Sequence, residues 1–131
     1  MTLFEQPLDG FNLSGYRALC AASNVEIGID ESLRSTADLI EYVRADAIHV
    51  AVAKVQRNSG LYRSRQLCET AQAAGLGLSL SGLTETDLGL AAVLDALGHC
   101  LQSRDHVSFF ERRLAFHRSA GTHESGRIER A

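Results

Sequence analysis

Hydrophobic positions in the first hundred residues alternate between two spacings. Short apolar or alternating runs, which are typical of strands, occur at TLFE, VEIGID, AIHVAVAK and LGLSLS. Between these runs, apolar residues recur every three or four positions and predict helices. The predicted helices cover 13–22, the segment after a Ser35–Asp38 capping box, 61–74 and 86–101. Four strand–helix repeats of this kind predict an α/β fold with a parallel sheet and right-handed crossovers.

A polar residue ends each predicted strand. These residues are Glu5, Asp30, Lys54 and Ser81, and they follow one another at intervals of 25, 24 and 27 residues. In parallel βα folds, functional sites form at the carboxyl ends of the strands. We therefore expect these four side chains to converge at one edge of the sheet.

Composition limits the class of protein. The chain has 131 residues, 45% of them hydrophobic, and a net charge of −3, which suits one domain with a substantial core. The mild acidity argues against a nucleic-acid partner. No apolar run is long enough to span a membrane, so we expect no membrane partner. The first residues lack the pattern of a secretory signal. Three widely spaced cysteines, Cys20, Cys68 and Cys100, are interpreted as reduced, buried thiols, so we expect a cytoplasmic protein.

The charge balance changes near residue 104. Residues 1–103 hold 7 basic and 12 acidic residues, whereas residues 104–131 hold 6 and 4. We therefore divide the chain into an α/β part, 1–103, and a basic tail, 104–131. The HVSFFERRLAF segment suits one more helix or strand, and the end of the tail is expected to be disordered.

The basic residues are almost all arginine. Of the 13, only Lys54 is a lysine. A genome rich in G and C would favour arginine on surfaces, which is one explanation. The other is that Lys54 has a task that an arginine cannot perform.

Four segments together resemble a known family. LFEQPL, IGIDESL, AKVQRNSGL and SLSGLTETDLGLAA occur in the order and spacing of the catalytic barrel of the enolase superfamily. Among its subgroups, the segments are most similar to the muconate-lactonising (mandelate racemase/muconate cycloisomerase) type. The resemblance covers residues 2 to about 100. It implies a TIM-type (β/α)8 barrel, of which this chain would be a half-barrel of strands four to seven, with an irregular or helical tail.

The resemblance also implies roles for the polar residues. The family removes a proton α to the carboxylate of a small substrate, which leads to cycloisomerisation, dehydration or epimerisation. Glu5 and Asp30 match ligands of Mg²⁺, and Lys54 matches the acid/base lysine. Glu85 matches a further catalytic acid of the family. Ser81 and Gly82 match a segment that contacts the substrate carboxylate.

Several parts of the family pattern have no counterpart here. A full barrel takes about 250 residues, and the capping domain, the first metal ligand and the partner lysines are missing. We therefore expect weak Mg²⁺ binding and no turnover by the chain alone. The sheet would keep two unpaired edges and an open apolar inner face, with Leu3, Ile48, Val50 and Val52 directed into it. This predicts a homo-oligomer, or pairing with a missing half. The alternative is that the HVSFFERRLAF segment folds over this face.

Other interpretations of these residues remain open. Glu5 and Asp30 could be solvated, Lys54 could be an ordinary lysine at a strand end, and Glu85 could complement the dipole of the helix it begins. Arg57 could either support the site or be solvated, and the solvated interpretation is preferred. His49 is interpreted as packed against a helix. For the whole chain, the alternatives are a non-catalytic remnant or assembly partner, and a receiver-like or flavodoxin-like binding domain.

Overall fold

The sheet has four parallel strands with helices between them. The computed structural model describes residues 3–81, 89, 91–93 and 98. The strands are β1 (Leu3–Glu5), β2 (Glu26–Ile29), β3 (Val50–Ala53) and β4 (Gly77–Leu80), and the helices are α1 (Leu13–Ala22), α2 (Thr36–Arg44) and α3 (Leu61–Ala73). The strands lie in the order β1-β2-β3-β4, and every neighbouring pair is parallel. The predicted α/β architecture is confirmed to this extent.

Local signals in the sequence determine where the helices begin and end. At the start of α2, the Ser35 hydroxyl accepts a hydrogen bond from Asp38 N at 3.2 Å and donates to the Asp38 carboxylate at 2.9 Å. The first of these bonds is that of the predicted capping box, and the Asp38 carboxylate in turn accepts from the backbone N–H of Arg34 at 3.2 Å. Helix α3 ends just before Gly75, whose φ of 75° suits glycine at the end of a helix. Of the predicted helix 86–101, residues 89, 91–93 and 98 are described and helical, and the tail 104–131 lies outside the described residues.

The core lies between the sheet and the helices. Tyr16 of α1, Ile27 and Ile29 of β2 and Leu67 of α3 belong to one cluster and are 0–1% exposed. Because side chains alternate along a strand, Ile27 and Ile29 share the face that packs on the helices. Because β2 and β3 are parallel, the polar residues that follow them lie at the same end of the sheet.

The opposite face of the sheet differs from expectation. Val50 and Val52 are 1% and 0% exposed, so the prediction of an open inner face is wrong for these two residues. A Cβ atom placed on Gly28 would lie only 3.0 Å from Leu3 Cδ1, so glycine at this position leaves room for the Leu3 side chain of β1. Ile48 packs in the core cluster with the helices, not on the inner face.

The amino end of β3 also corrects the sequence interpretation. The strand begins at Val50, three residues after the start of its apolar run. The His49 imidazole Nδ1 accepts a hydrogen bond from Ile27 N at 3.0 Å, and His49 N donates to Ile27 O at 2.8 Å. His49 therefore fastens the amino end of β2 to β3, and is not simply a histidine packed on a helix.

Two of the three cysteines are among the described residues. Cys68 is buried and Cys20 half-buried, and both are free thiols. Burial raises the pKa of the Cys20 thiol. The expectation of a buried thiol is confirmed for Cys68 and only partly for Cys20. None of the helices in the described part of the chain is both long and apolar enough to cross a membrane.

Candidate functional site

An ion pair lies at the carboxyl ends of the two central strands. Asp30 directly follows β2 and Lys54 directly follows β3. Lys54 Nζ donates to Asp30 Oδ2 at 2.6 Å, and the two side chains are 10% and 3% exposed. Because both charged groups are largely removed from water, each depends on the other for compensation.

Glu5 adds a second carboxyl group to this pair. It is the last residue of β1 and lies opposite Gly28 in the neighbouring strand, two residues before Asp30. The Glu5 side chain lies close enough to Asp30 to contribute to the lowered pKa of that carboxyl group. The structure therefore brings together Glu5, Asp30 and Lys54, which lie 25 and 24 residues apart in the sequence.

Arg57 completes the charged cluster, contrary to expectation. Its Nη2 atom lies 2.6 Å from Asp30 Oδ1, and its side chain is 16% exposed. Its Nε donates to Leu33 O at 3.2 Å and its Nη2 to Val52 O at 3.0 Å. The interpretation of Arg57 as a solvated residue is therefore wrong.

Two amide side chains hold the backbone of the site, and the sequence reasoning missed both. Asn58 is 2% exposed; it accepts a hydrogen bond from Lys54 N at 2.8 Å and donates to Leu33 O at 2.8 Å. Gln6 Oε1 accepts a hydrogen bond from Asp30 N at 3.0 Å. The backbone of Gln6 has a positive φ of 48°. The EQP and K-x-x-R-N segments contained these residues, but only the fold shows which backbone groups they contact.

The cations around Asp30 control its ionisation. Burial by itself would raise the pKa of Asp30, since it disfavours the charged form. Hydrogen bonds from Lys54 and Arg57, and the charge of Arg57, outweigh this effect and hold the pKa of Asp30 below its ordinary value. The carboxyl group is therefore an anion at neutral pH.

The remaining predicted site residues lie beyond β4. Ser81 directly follows that strand, is half-buried, and donates its N–H to Ala53 O at 3.0 Å. This places Ser81 at the same carboxyl end of the sheet as Lys54. Gly82 and Glu85 lie outside the described residues.

The oxygen atoms of the site suit part of a magnesium coordination shell. Glu5 and Asp30 provide carboxylate oxygens, which Mg²⁺ prefers. Asp30 Oδ1 is buried and lies 2.6 Å from Arg57 Nη2, so a cation already occupies one side of this carboxylate. No third histidine, cysteine, aspartate or glutamate within the described residues completes a cluster that could hold a metal ion. Within the described residues, Glu5 and Asp30 can therefore supply two of the ligands of a magnesium ion.

Comparison with known proteins identifies this arrangement. The sequence profile of the enolase C-terminal domain-like family matches residues 1–129. The chain belongs to the enolase superfamily. Its similarity to muconate cycloisomerases places it with the muconate-lactonising type, as the C-terminal part of the catalytic domain.

Individual relatives of this enolase-superfamily chain are longer proteins. An aromatic dipeptide epimerase of Herpetosiphon aurantiacus is 34% identical over 91 residues, which are 70% of this chain and 25% of that protein. Muconate cycloisomerase 1 of Rhodococcus opacus is 32% identical over 90 residues, 69% of this chain and 24% of the relative. The chain thus spans about a quarter of the length of these relatives.

Solved structures agree with the sheet topology of this member of the superfamily. The muconate lactonizing enzyme from Pseudomonas putida matches with a TM-score of 0.71 at 28% identity, over 74% of this chain and 27% of that one. A mandelate racemase/muconate lactonizing protein from Herpetosiphon aurantiacus matches with a TM-score of 0.66 at 35% identity, over 73% and 28%. The parallel sheet with alternating helices is therefore part of an α/β barrel of the TIM type.

Proposed function

We propose that this chain provides the acid/base half of a Mg²⁺-dependent active site that removes a proton α to the carboxylate of a small substrate. The contact of Lys54 Nζ with Asp30 Oδ2, at the edge of the sheet where Glu5 also lies, carries this proposal. Family membership supports the class of reaction. Cycloisomerisation, dehydration and epimerisation are the candidate outcomes.

Lys54 is the proposed proton carrier. Its Nζ must be neutral to take a proton from carbon, and an amine can reach that state whereas a guanidinium cannot. Asp30 positions Nζ by accepting its hydrogen bond. Asn58 fixes the Lys54 backbone by accepting a hydrogen bond from its N–H. Exchange of the proton would then occur at one atom, Nζ, held at the carboxyl end of β3.

Glu5 and Asp30 are the residues that would hold the metal. When bound, Mg²⁺ would supply positive charge for the substrate oxygens, which become more negative as the α proton leaves. Ser81 and Gly82 are proposed to contact the substrate carboxylate, and Glu85 to act as a further catalytic acid. We also propose a cytoplasmic location, supported by the free thiols of Cys20 and Cys68.

Proton exchange in D₂O tests this function. We expect dipeptides or muconate to gain no deuterium with the chain alone, because the two carboxylates of Glu5 and Asp30 would hold Mg²⁺ only weakly. A 1:1 mixture with the preceding barrel units of a muconate cycloisomerase should produce exchange, detected by mass spectrometry. Lys54→Arg should abolish it in the mixture, because arginine keeps the charge but does not accept a proton.

The exchange experiment separates the proton carrier from the rest of the site. Exchange in the mixture that is equally fast with Lys54→Arg would contradict the role of Lys54. Exchange by the chain alone that is lost with Lys54→Ala would support the role and show that the chain needs no second half. Lys54→Arg preserves the positive charge opposite Asp30, so a loss of exchange in this variant does not come from loss of the buried ion pair.

We also propose that the chain assembles through its sheet edges, as a homo-oligomer or with a second half-barrel. Among the described strands, β1 and β4 each pair with one neighbour only. A strand edge presents unpaired N–H and C=O groups that readily pair with another strand. Sedimentation equilibrium at micromolar concentration should show a dimer or a larger species. A monomer that melts cooperatively and binds no dye for apolar surface would contradict the homo-oligomer.

A further inference from the structure

Arg57 is held in place by groups other than Asp30. Its guanidinium donates to Leu33 O, in the loop after β2, at 3.2 Å, and to Val52 O, in β3, at 3.0 Å. The side chain is 16% exposed. Two carbonyl groups from different segments thus fix the guanidinium, and it cannot move away from Asp30 without losing both hydrogen bonds.

Both oxygens of the Asp30 carboxylate face a cation. Lys54 Nζ lies 2.6 Å from Oδ2 and Arg57 Nη2 lies 2.6 Å from Oδ1. The lysine can lose its proton, but the guanidinium stays charged at every pH at which proteins fold. A metal ion bound to Asp30 would therefore always meet the positive charge of Arg57.

We propose that Arg57 is a fixed internal cation that competes with a divalent metal for Oδ1 of Asp30, an inference that rests on the proposed metal-binding function. Arg57 acts as a positioning residue, since it orients the carboxylate while lowering its affinity for a second cation. Two like charges a few ångströms apart in a partly buried site repel strongly. Removing the charge while keeping a hydrogen-bond donor should therefore tighten metal binding.

Arg57→Gln is the variant that separates charge from hydrogen bonding. The glutamine amide can still donate to a backbone carbonyl, but it carries no charge. Arg65→Gln is the matched control, because Arg65 pairs with Glu69 in an exposed ion pair in α3 (54% and 52% exposed) and lies outside the site. Both variants remove one positive charge from the full chain, but only one removes it beside Asp30.

Mn²⁺ is the probe, and the electron paramagnetic resonance signal of the free ion gives its affinity. Relative to the unaltered chain, we expect Arg57→Gln to bind Mn²⁺ at least about tenfold more tightly, as the loss of a close like charge predicts. Arg65→Gln should leave the affinity unchanged, and Glu5→Gln should weaken it. If Glu5→Gln weakens binding but Arg57→Gln does not tighten it, the inference is overturned while the metal site stands. If Glu5→Gln leaves Mn²⁺ binding unchanged, the proposed metal function fails and the inference fails with it.

A second measurement uses the unaltered chain, so it does not depend on the folding of a variant. The Nε–H signal of Arg57 in a ¹H–¹⁵N spectrum should shift as Mg²⁺ is added, because the metal and the guanidinium share Asp30. The Nε–H signal of Arg65 should not move. An Arg57 signal that stays in place while the carboxyl carbon of Asp30 responds to Mg²⁺ would overturn the competition.

Discussion

Replacing Asp30 by Asn is expected to lower the free energy of unfolding by about 3–5 kcal/mol, because it leaves two buried cations without their anion. Lys54 and Arg57 both lie 2.6 Å from this carboxylate, whose side chain is 3% exposed. A domain of this size is typically stable by about 5–15 kcal/mol, so the loss would be a large part of the total. Urea denaturation at pH 7, followed by circular dichroism, measures it.

Two further variants serve as controls. Lys54→Met should cost less than Asp30→Asn, because Arg57 still neutralises the carboxylate. The double variant should lose less stability than the sum of the two single losses, since it no longer buries an uncompensated ammonium. Glu41→Gln breaks an exposed pair with Arg44 (61% and 73% exposed) and should change stability by about 0.5 kcal/mol or less. An Asp30→Asn loss no larger than that of Glu41→Gln would contradict the description of the cluster.

The effect of Asp30→Asn should also depend on pH. The pKa of Asp30 is lowered in the folded chain, because hydrogen bonds from Lys54 and Arg57 and the charge of Arg57 outweigh the effect of burial. In the unfolded chain it is about 3.9. The carboxylate therefore contributes its full stabilisation above that value and loses it as the pH falls through the lower, folded value. The stability difference between the two proteins should be constant near neutral pH and shrink in acid.

Parts of the fold could be predicted because their signals are local. The bounds of α1, Leu13–Ala22, follow directly from the spacing of apolar residues, and the hydroxyl of Ser35 accepts from Asp38 N as the capping box predicts. The convergence of Asp30 and Lys54 followed from parallel topology, since each residue directly follows its strand. None of these predictions needed knowledge of contacts between distant segments.

Other features depend on contacts that no sequence pattern encodes. Arg57 has the polar neighbours of a solvated residue, yet its main partners are a carbonyl 24 residues away and a carboxylate 27 residues away. Asn58 and Gln6 act through backbone atoms of other segments. His49 is interpreted from the sequence as packed against a helix, but its partner, Ile27 N, is known only from the pairing of the strands. The site residues that the sequence missed are those that hold backbone groups in place.

The loop between β1 and α1 shows how that support extends away from the charges. Gln6 Nε2 donates to Leu8 O at 3.1 Å and to Ser32 Oγ at 3.0 Å, which ties this loop to the loop after β2. Tyr16 donates its hydroxyl to Leu8 O at 2.7 Å, and Tyr42 donates to Gly10 O. The two tyrosine rings meet edge to face, with centroids 5.8 Å apart. Gly10 therefore lies in a region where both loops and a helix are in close contact.

Gly10→Ala is expected to cost about 3 kcal/mol, because a side chain there has no room. The added Cβ would lie 1.8 Å from Ser32 Oγ and 2.2 Å from Ser32 Cβ. Rotation of the hydroxyl could relieve the first contact, but the second requires the backbone of the loop to move. Since Gln6 binds both Ser32 and the N–H of Asp30, this movement would also disturb the carboxylate. Thermal unfolding measures the loss.

Gly98→Ala is the matched control for this substitution. Gly98 is exposed and helical, and a Cβ placed on it meets no atom within 4 Å. Alanine in an exposed helix is more favourable than glycine by about 1 kcal/mol, so this variant should melt at a higher temperature. The same change of one methyl group should thus have opposite signs at the two positions. A Gly10→Ala chain that melts at or above the temperature of the unaltered chain would show that the loops after β1 and β2 are not packed as described.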